Sequence, residues 1–505
     1  MTPLIQQLDL FPAFRLNSVR QRSELVNKSP HARLSRLGPM DKVLLWRYKQ
    51  AMETQLTDES SAEHREQALL FELPEPTTIG PPEAEGGGPA RLRTVERHQV
   101  GYFAMALDEL LPEDHQARVV WSYVEGLDLT PLLERIAAVE GRAGRSPADP
   151  KILIGLWLYA TLRGVGSARE LNRLCASHAA YRWICGGVSM NYHTLADFRT
   201  AHPEFLNQLL TQSAAVLMHQ GLVRIDRVAQ DGMRVRASAG AASFRRRATL
   251  EECLNTAQEH VEQLRAELES DPTAATKRQQ AARERVARER RERVQRARAE
   301  LPGIEAKKKA PEKEKARCSI TDPEARAMKM ADGGYRPAYN VQLATDTAAQ
   351  LIVGVDVINL GSDQGQMAPM VGQIEERHGE PPAEMLVDGG FVKKQDINQV
   401  SPATTVYAPV MKSKDPQRDE HTPRADDSQA VAQWRVRMGT AQAKKIYKER
   451  ASTAECVNAI ARNRNLQQFR VRGLRKVRAV ALWYALAHNL MRAVALRAEG
   501  AAKDM

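Results

Sequence analysis

Glu455 lies in the run Tyr447-Lys448-Glu449-Arg450-Ala451-Ser452-Thr453-Ala454-Glu455, and Arg462 follows seven residues on. Upstream, two aspartates each close an apolar run: Val228-Ala229-Gln230-Asp231-Gly232 and Met385-Leu386-Val387-Asp388-Gly389-Gly390. Two strand-end aspartates and a helix-borne glutamate are the makings of a two-metal phosphoryl-transfer site. Hard divalent cations take oxygen ligands, and two of them about 3.5–4 Å apart clamp the attacking and leaving oxygens of a phosphodiester. Each acid also has a simpler reading. An aspartate before glycine is a common turn, and Ser452-x-x-Glu455 matches a capping box. The three together carry the chemistry better than any one alone. At helical spacing Glu455, Asn458 and Arg462 share one face, which sets a carboxylate for metal beside a guanidinium for bidentate phosphate binding. Tyr447 and Arg450, just upstream, can reach the same scissile region.

The elements that must position these residues read as α+β. Residues 1–73 form a polar N-terminal arm with a short helix expected over Pro39–Gln55. Residues 74–95, rich in proline and with Gly86-Gly87-Gly88, form a flexible linker. Residues 96–221 are helical: Asp149-Pro150 opens a helix over Lys151–Leu162, Ser167 starts one running through Cys175, and Asn191–Thr200 and Pro203–Met218 read as two more. Trp121, Trp157, Tyr159, Tyr181 and Trp183 are expected as its core. Residues 222–495 then alternate short strands and helices, which implies a mixed sheet. A strand over 223–229 leads into Asp231. Tyr339–Thr345, Leu351–Ile358, Met385–Val387 and Thr404–Pro409 are further strands, and Gln364–His378 is a helix. A charged helical insertion occupies 242–318, with Pro272 breaking its apolar pattern. Residues 496–505 are a tail.

The formal net charge of +11 favours a polyanionic partner. The excess is concentrated: residues 273–317 hold sixteen Lys and Arg against seven Asp and Glu. A second cluster, Arg462, Arg464, Arg470, Arg472, Arg475, Lys476 and Arg478, contains no acid and directly follows Glu455. The five cysteines are scattered without zinc spacing and read as reduced thiols of a cytosolic protein. Met1-Thr2-Pro3-Leu4 opens no secretory pattern, and the most apolar window, Ile152 to Ala160, is shorter than a membrane span. No GxGxxG or P-loop points to a nucleotide-cofactor enzyme.

Tyr447-x-x-Arg450-x4-Glu455-x6-Arg462 resembles the Tyr-Arg-Glu-Lys signature of DDE transposases from bacterial insertion sequences. Val228–Ala237 is similar to their first-aspartate strand and Leu386–Phe391 to their second. Ser319–Lys329 with Tyr339–Gln342, and the helical region 96–205, resemble one branch of that group. Two departures stand out: the gap from arginine to glutamate is one residue longer, and Arg462 replaces a lysine. The resemblance implies a helical N-terminal DNA-binding domain and a ribonuclease-H-like catalytic core that brings Asp231, Asp388 and Glu455 to one edge. Those three would be the catalytic residues and ligands of two Mg2+ ions, with Mn2+ able to substitute. Tyr447, Arg450, Arg462 and Arg464 would contact DNA. The partners implied are double-stranded DNA, both terminal inverted repeats and target, and a second copy of the chain, acting in the bacterial cytoplasm at the nucleoid and away from membranes. The rival readings are a domesticated, non-catalytic DNA-binding regulator and a ribonuclease-H-like nuclease without strand transfer.

Overall fold

The computed structural model describes residues 105–138, 146–270, 274–412 and 417–503. The N-terminal arm, its expected helix over Pro39–Gln55 and the linker lie outside these residues. The principal helices of the first part are α1 (Gln116–Glu125), α2 (Pro150–Leu162), α3 (Ala168–Ser177), α4 (Ala179–Cys185), α5 (Tyr192–Ala201) and α6 (Pro203–His219). Five of these six start at side-chain caps, and α6 starts instead with Pro203 at its first position. Asp149 accepts from the Lys151 amide at 2.8 Å and Asn191 from the His193 amide at 2.9 Å, while Ser167 caps α3. Helix α2 is buried nearly all round, so it forms the centre of this part.

The sheet comprises β1 (Arg227–Arg236), β2 (Arg326–Lys329), β3 (Tyr335–Asp346), β4 (Ile352–Ile358), β5 (Glu384–Leu386) and β6 (Thr405–Tyr407). The path runs β2-β3-β1-β5-β6, with β4 also on β3. Strands β2, β3, β4 and β1 pair antiparallel, whereas β5 joins β1 and β6 joins β5 in parallel. Helices α9 (Met367–His378) and α10 (Lys394–Val400) fall before and after β5. After β6 come α11 (Gln429–Gly439), α12 (Ala441–Tyr447), α13 (Cys456–Asn463) and α14 (Leu474–Lys503).

Between β1 and β2 stand α7 (Arg247–Ser270) and α8 (Ala274–Ala306), an antiparallel hairpin. Leu250 packs with Ala297 and Leu301 at one level, and Val261 and Leu264 pack with Ala287 at another. Arg265–Glu284 at 3.0 Å and Arg326–Glu300 tie it along its length and to β2.

One apolar core joins α2, α4 and α5 to one face of the sheet through Met233, Val235, Tyr339 and Val341, and to α14 through Val477, Leu482, Trp483 and Leu486. A second apolar core gathers Val228, Ala229, Leu386 and Val387 with residues of α9, α10 and α11. Leu474–Gly500 is long and apolar enough to cross a membrane by composition. Here it is a core helix: Asn489 bonds both backbone groups of Ile352, at 2.8 and 2.9 Å, and so satisfies part of strand β4. All five cysteines are free thiols.

Candidate active site

Asp231 is not at a strand end, as the glycine after it suggested, but in the middle of β1. Its register partner is Leu343, and Gly232 stays in the ladder opposite Gln342. The glycine is required by packing. A Cβ there would run into the Asp363 carboxylate and stand 2.7 Å from Gln342 Nε2. Asp363 itself is held by Asn340 Nδ2 at 2.6 Å, Gln342 Nε2 at 2.7 Å and Arg234 at 3.2 Å. This buried polar cluster sits beside Asp231, and sequence reasoning missed it. Its trace is the pair Asn340 and Gln342, polar residues alternating with Tyr339, Val341 and Leu343 in an otherwise apolar strand.

Asp388 reaches the same level through strand register. Ala229 pairs with Leu386 in the parallel β1–β5 ladder, so continuing two residues along each strand brings Asp231 level with Asp388. Asp388 Oδ1 accepts the Gly390 amide at 2.7 Å and shapes the turn, while buried Phe391 anchors the chain beyond it. Burial pushes the Asp231 carboxyl above its ordinary range. Arg450 and the Gly232 amide pull it back, and the charges of Asp388 and Asp363 raise it further.

The third group arrives on a helix with an unusual turn. Tyr447 ends α12, and Ala451–Glu455 form one π turn before α13. A π turn holds one residue more than an α turn and is frequent at functional sites. Here it absorbs the extra residue between Arg450 and Glu455, so the two still meet: Arg450 Nη2 is 3.3 Å from Glu455 Oε1. Ser452 donates to the Glu449 carbonyl at 2.9 Å and caps no helix, which removes the capping-box reading. Arg450 Nη1 lies 3.9 Å from Asp231 Oδ1. Burial pulls the Arg450 guanidinium down, but Tyr447, Asp231 and Asp388 outweigh it and hold the charge. Asn458, in the first turn of α13, donates from Nδ2 to Asp231 Oδ2 at 2.8 Å. The segment is fixed to the sheet by Arg227, which pairs with Glu449 at 2.7 Å and with Glu384 of β5.

The donor set fits a hard cation at Asp231 and Asp388. Both are carboxylates, and the Oδ1 of buried Asn458 beside them has no hydrogen-bond partner. Glu455 joins this pair through Arg450 and is itself exposed, its side chain at 59%. Among the described residues no three His, Cys, Asp or Glu side chains stand close enough together to hold one ion.

An open groove of about 690 Å3 begins at Gly232. Arg234, Arg236, Lys329, Arg336 and Arg462 line it, against the single carboxylate of Asp332. Arg462 is thus brought beside the aspartate strand. Arg464 is not: it lines a separate cavity with Trp157 and Arg199, because residues 464–469 turn back along the helical part and along the end of β1, where the Phe469 amide donates to the Arg236 carbonyl at 2.8 Å.

Residues 410–494 match the transposase DDE domain, and residues 105–201 match a transposase domain (DUF772). Over these two stretches the chain is similar to transposases, the second of them to the DDE domain. Neither a curated relative nor a solved structure gives a match. The matched stretch 410–494 contains Tyr447, Arg450, Glu455, Arg462 and Arg464. Asp231 and Asp388 fall between the two matched stretches.

Proposed function

We propose that this chain is a DNA transposase that cleaves and joins strands at the terminal inverted repeats of an insertion sequence by metal-assisted phosphoryl transfer, with Asp231, Asp388 and Glu455 as its acidic centre. The observation that supports this most is the meeting of Asp231 with a segment carrying Arg450, Glu455 and Asn458, on the strand whose parallel partner ends two residues before Asp388. A sheet of four antiparallel strands continued by two parallel ones supports a ribonuclease-H-like core.

Asp231 and Asp388 would hold Mg2+, or Mn2+ in its place, and Glu455 would complete the site. Divalent cations bound there supply activation of the attacking oxygen and charge stabilisation of the leaving one. Asn458 orients the Asp231 carboxylate through Oδ2. Arg450 keeps the carboxylates from repelling one another and, with Tyr447, faces the scissile phosphate. Arg462 and the groove from Arg234 to Arg336 track the DNA backbone, contacts that position the duplex without reading its sequence. The helical part within 96–221 binds the transposon end, and two copies of the chain hold the two ends together.

The test is cleavage of a labelled duplex carrying the flanking inverted repeat, in Mg2+ or Mn2+, by wild type and Asp388→Asn. Metal-dependent nicking at the repeat boundary, lost in the variant while DNA binding is kept, is the expected result. Binding without cleavage by either protein would replace the reading with a regulator. Cleavage indifferent to the repeat would replace it with a general nuclease.

A further inference from the structure

A cavity of about 50 Å3 lies between the α2–α3 turn of the helical part and the segment that follows α13. Its wall carries three guanidinium groups, Arg199, Arg464 and Arg470, with the rings of Trp157, Phe469 and Trp483, and no carboxylate. Arg199 is only 6% exposed. It donates to the Gly166 carbonyl and lies 4.7 Å over the Trp157 ring, but its Nε has no hydrogen-bond partner. Arg464 Nη1 is likewise buried and unpartnered. Neither arginine forms an ion pair among the described residues. Buried charge without a counter-charge is costly and ordinarily calls for one.

We propose that this cavity binds one phosphate-type oxyanion, held by Arg199 and Arg464 with Arg470 at its rim. The volume admits a group of only a few heavy atoms, which suits a single tetrahedral anion and leaves no space for a base or sugar inside. Guanidinium forks match such an anion by paired N–H donors. The uncompensated state shows in the titration of these side chains as well: burial lowers Arg199 to about 10 and lowers Arg464 in the same direction. The anion has two sources, a free phosphate or one backbone phosphate of bound DNA. Leu466 lines both this cavity and the basic groove beside Asp231, so the two sites share a wall. The inference stands independently of the catalytic reading, since it concerns binding alone.

The experiment is calorimetric titration of the full chain with inorganic phosphate at constant ionic strength, with chloride as the control. Wild type should take up one phosphate, and Arg464→Gln should bind it at least about 10-fold more weakly. Gly166→Asp keeps every arginine and places a carboxylate near Arg470, whose Cγ would be 4.0 Å from the new Cβ. It should weaken phosphate uptake, because it sets a competing carboxylate beside the arginine at the rim. Equal phosphate affinity in all three folded proteins, or no uptake by wild type, overturns the proposal. Repeating the titration with duplex DNA present assigns the source. Displacement of phosphate by DNA marks a backbone phosphate as the occupant, and simultaneous binding marks a free anion.

Discussion

Asn458 donates a hydrogen bond of 2.8 Å to Oδ2 of Asp231, joining α13 to the middle of the central strand across 227 positions of sequence. The carboxylate is thereby aimed by a neutral amide, and its remaining oxygen is steadied by the Gly232 amide at 2.9 Å. The amide's own oxygen stays free beside the site. Replacing Asn458 by Ala frees the carboxylate to rotate. Metal affinity or cleavage rate should fall about 10–100-fold, the usual cost of losing a partner that orients a ligand. Isothermal titration with Mn2+ and single-turnover cleavage measure the two, and unchanged values in both would sink the assignment.

Arg450 carries the only guanidinium in contact with Asp231 among the described residues. Its side chain is 13% exposed, so the charge is poorly screened by water. Arg450→Gln should destabilise the chain by about 1–3 kcal/mol in EDTA, since it leaves partly buried carboxylates facing one another. Added Mg2+ should recover part of that loss. Urea unfolding with and without the ion reads both quantities, and a loss indifferent to Mg2+ would separate Arg450 from the acidic centre.

The groove beside Gly232 contains Arg236, Lys329 and Arg462 with no carboxylate in ion-pair range among the described residues. Removing one phosphate contact lowers the slope of log affinity against log salt by about 0.9. Arg462→Ala and Lys329→Ala should each show that change in a fluorescence anisotropy series, with little dependence on DNA sequence. A slope equal to wild type in both would take the DNA backbone out of this groove.

Gly232 has no room for a side chain, since Asp363 and Gln342 fill the place of a Cβ. Gly232→Ala should cost about 1–3 kcal/mol, the range for overpacking a filled site. Its effect on cleavage should exceed that of an equally destabilising change in the α7–α8 hairpin, because the displaced groups neighbour Asp231. Equal losses of activity at matched stability would contradict this.

Asp346 ends β3, is 1% exposed, and has its carboxyl pushed up to about 6 by burial against the pull of the Ala349 and Ala348 amides. A carboxyl that binds its proton more tightly in the folded chain stabilises fully below its ordinary value of 3.8, and the contribution is lost as pH rises through about 6. Asp346→Asn removes the titration. Between pH 5 and 7 wild type should therefore lose about 1 kcal/mol relative to the variant. Denaturant curves across that window test it, and the opposite trend would refute it.

Several helix starts were legible because they are local. Asp149, Ser167 and Asn191 announce their helices through cap chemistry that needs no tertiary partner. Asp388 behaves as the turn residue that Asp-Gly-Gly implies, while also standing beside Asp231. Three features were not legible, each for a long-range reason. Gly232 reads as a strand end, yet it sits mid-ladder because Asp363, 131 positions on, presses against it. Arg464 reads as one more exposed base in a basic run. It is covered by Trp157 and Tyr484, residues of helices far apart in sequence. The one-residue excess before Glu455 looks like a defect in a motif until the π turn shows where the residue goes.

The apolar core shared by residues 111–210 and 457–490 has a consequence for the order of synthesis. A ribosome releases the helical part first, but the residues that seal its apolar side emerge some 250 positions later, and only α14 completes them. Non-local closure of this kind slows folding and leaves the early helices exposed in the interim. Chains cut short before Leu474 should accordingly be captured by chaperones or aggregate, and competence to act on DNA should begin only with the full-length product.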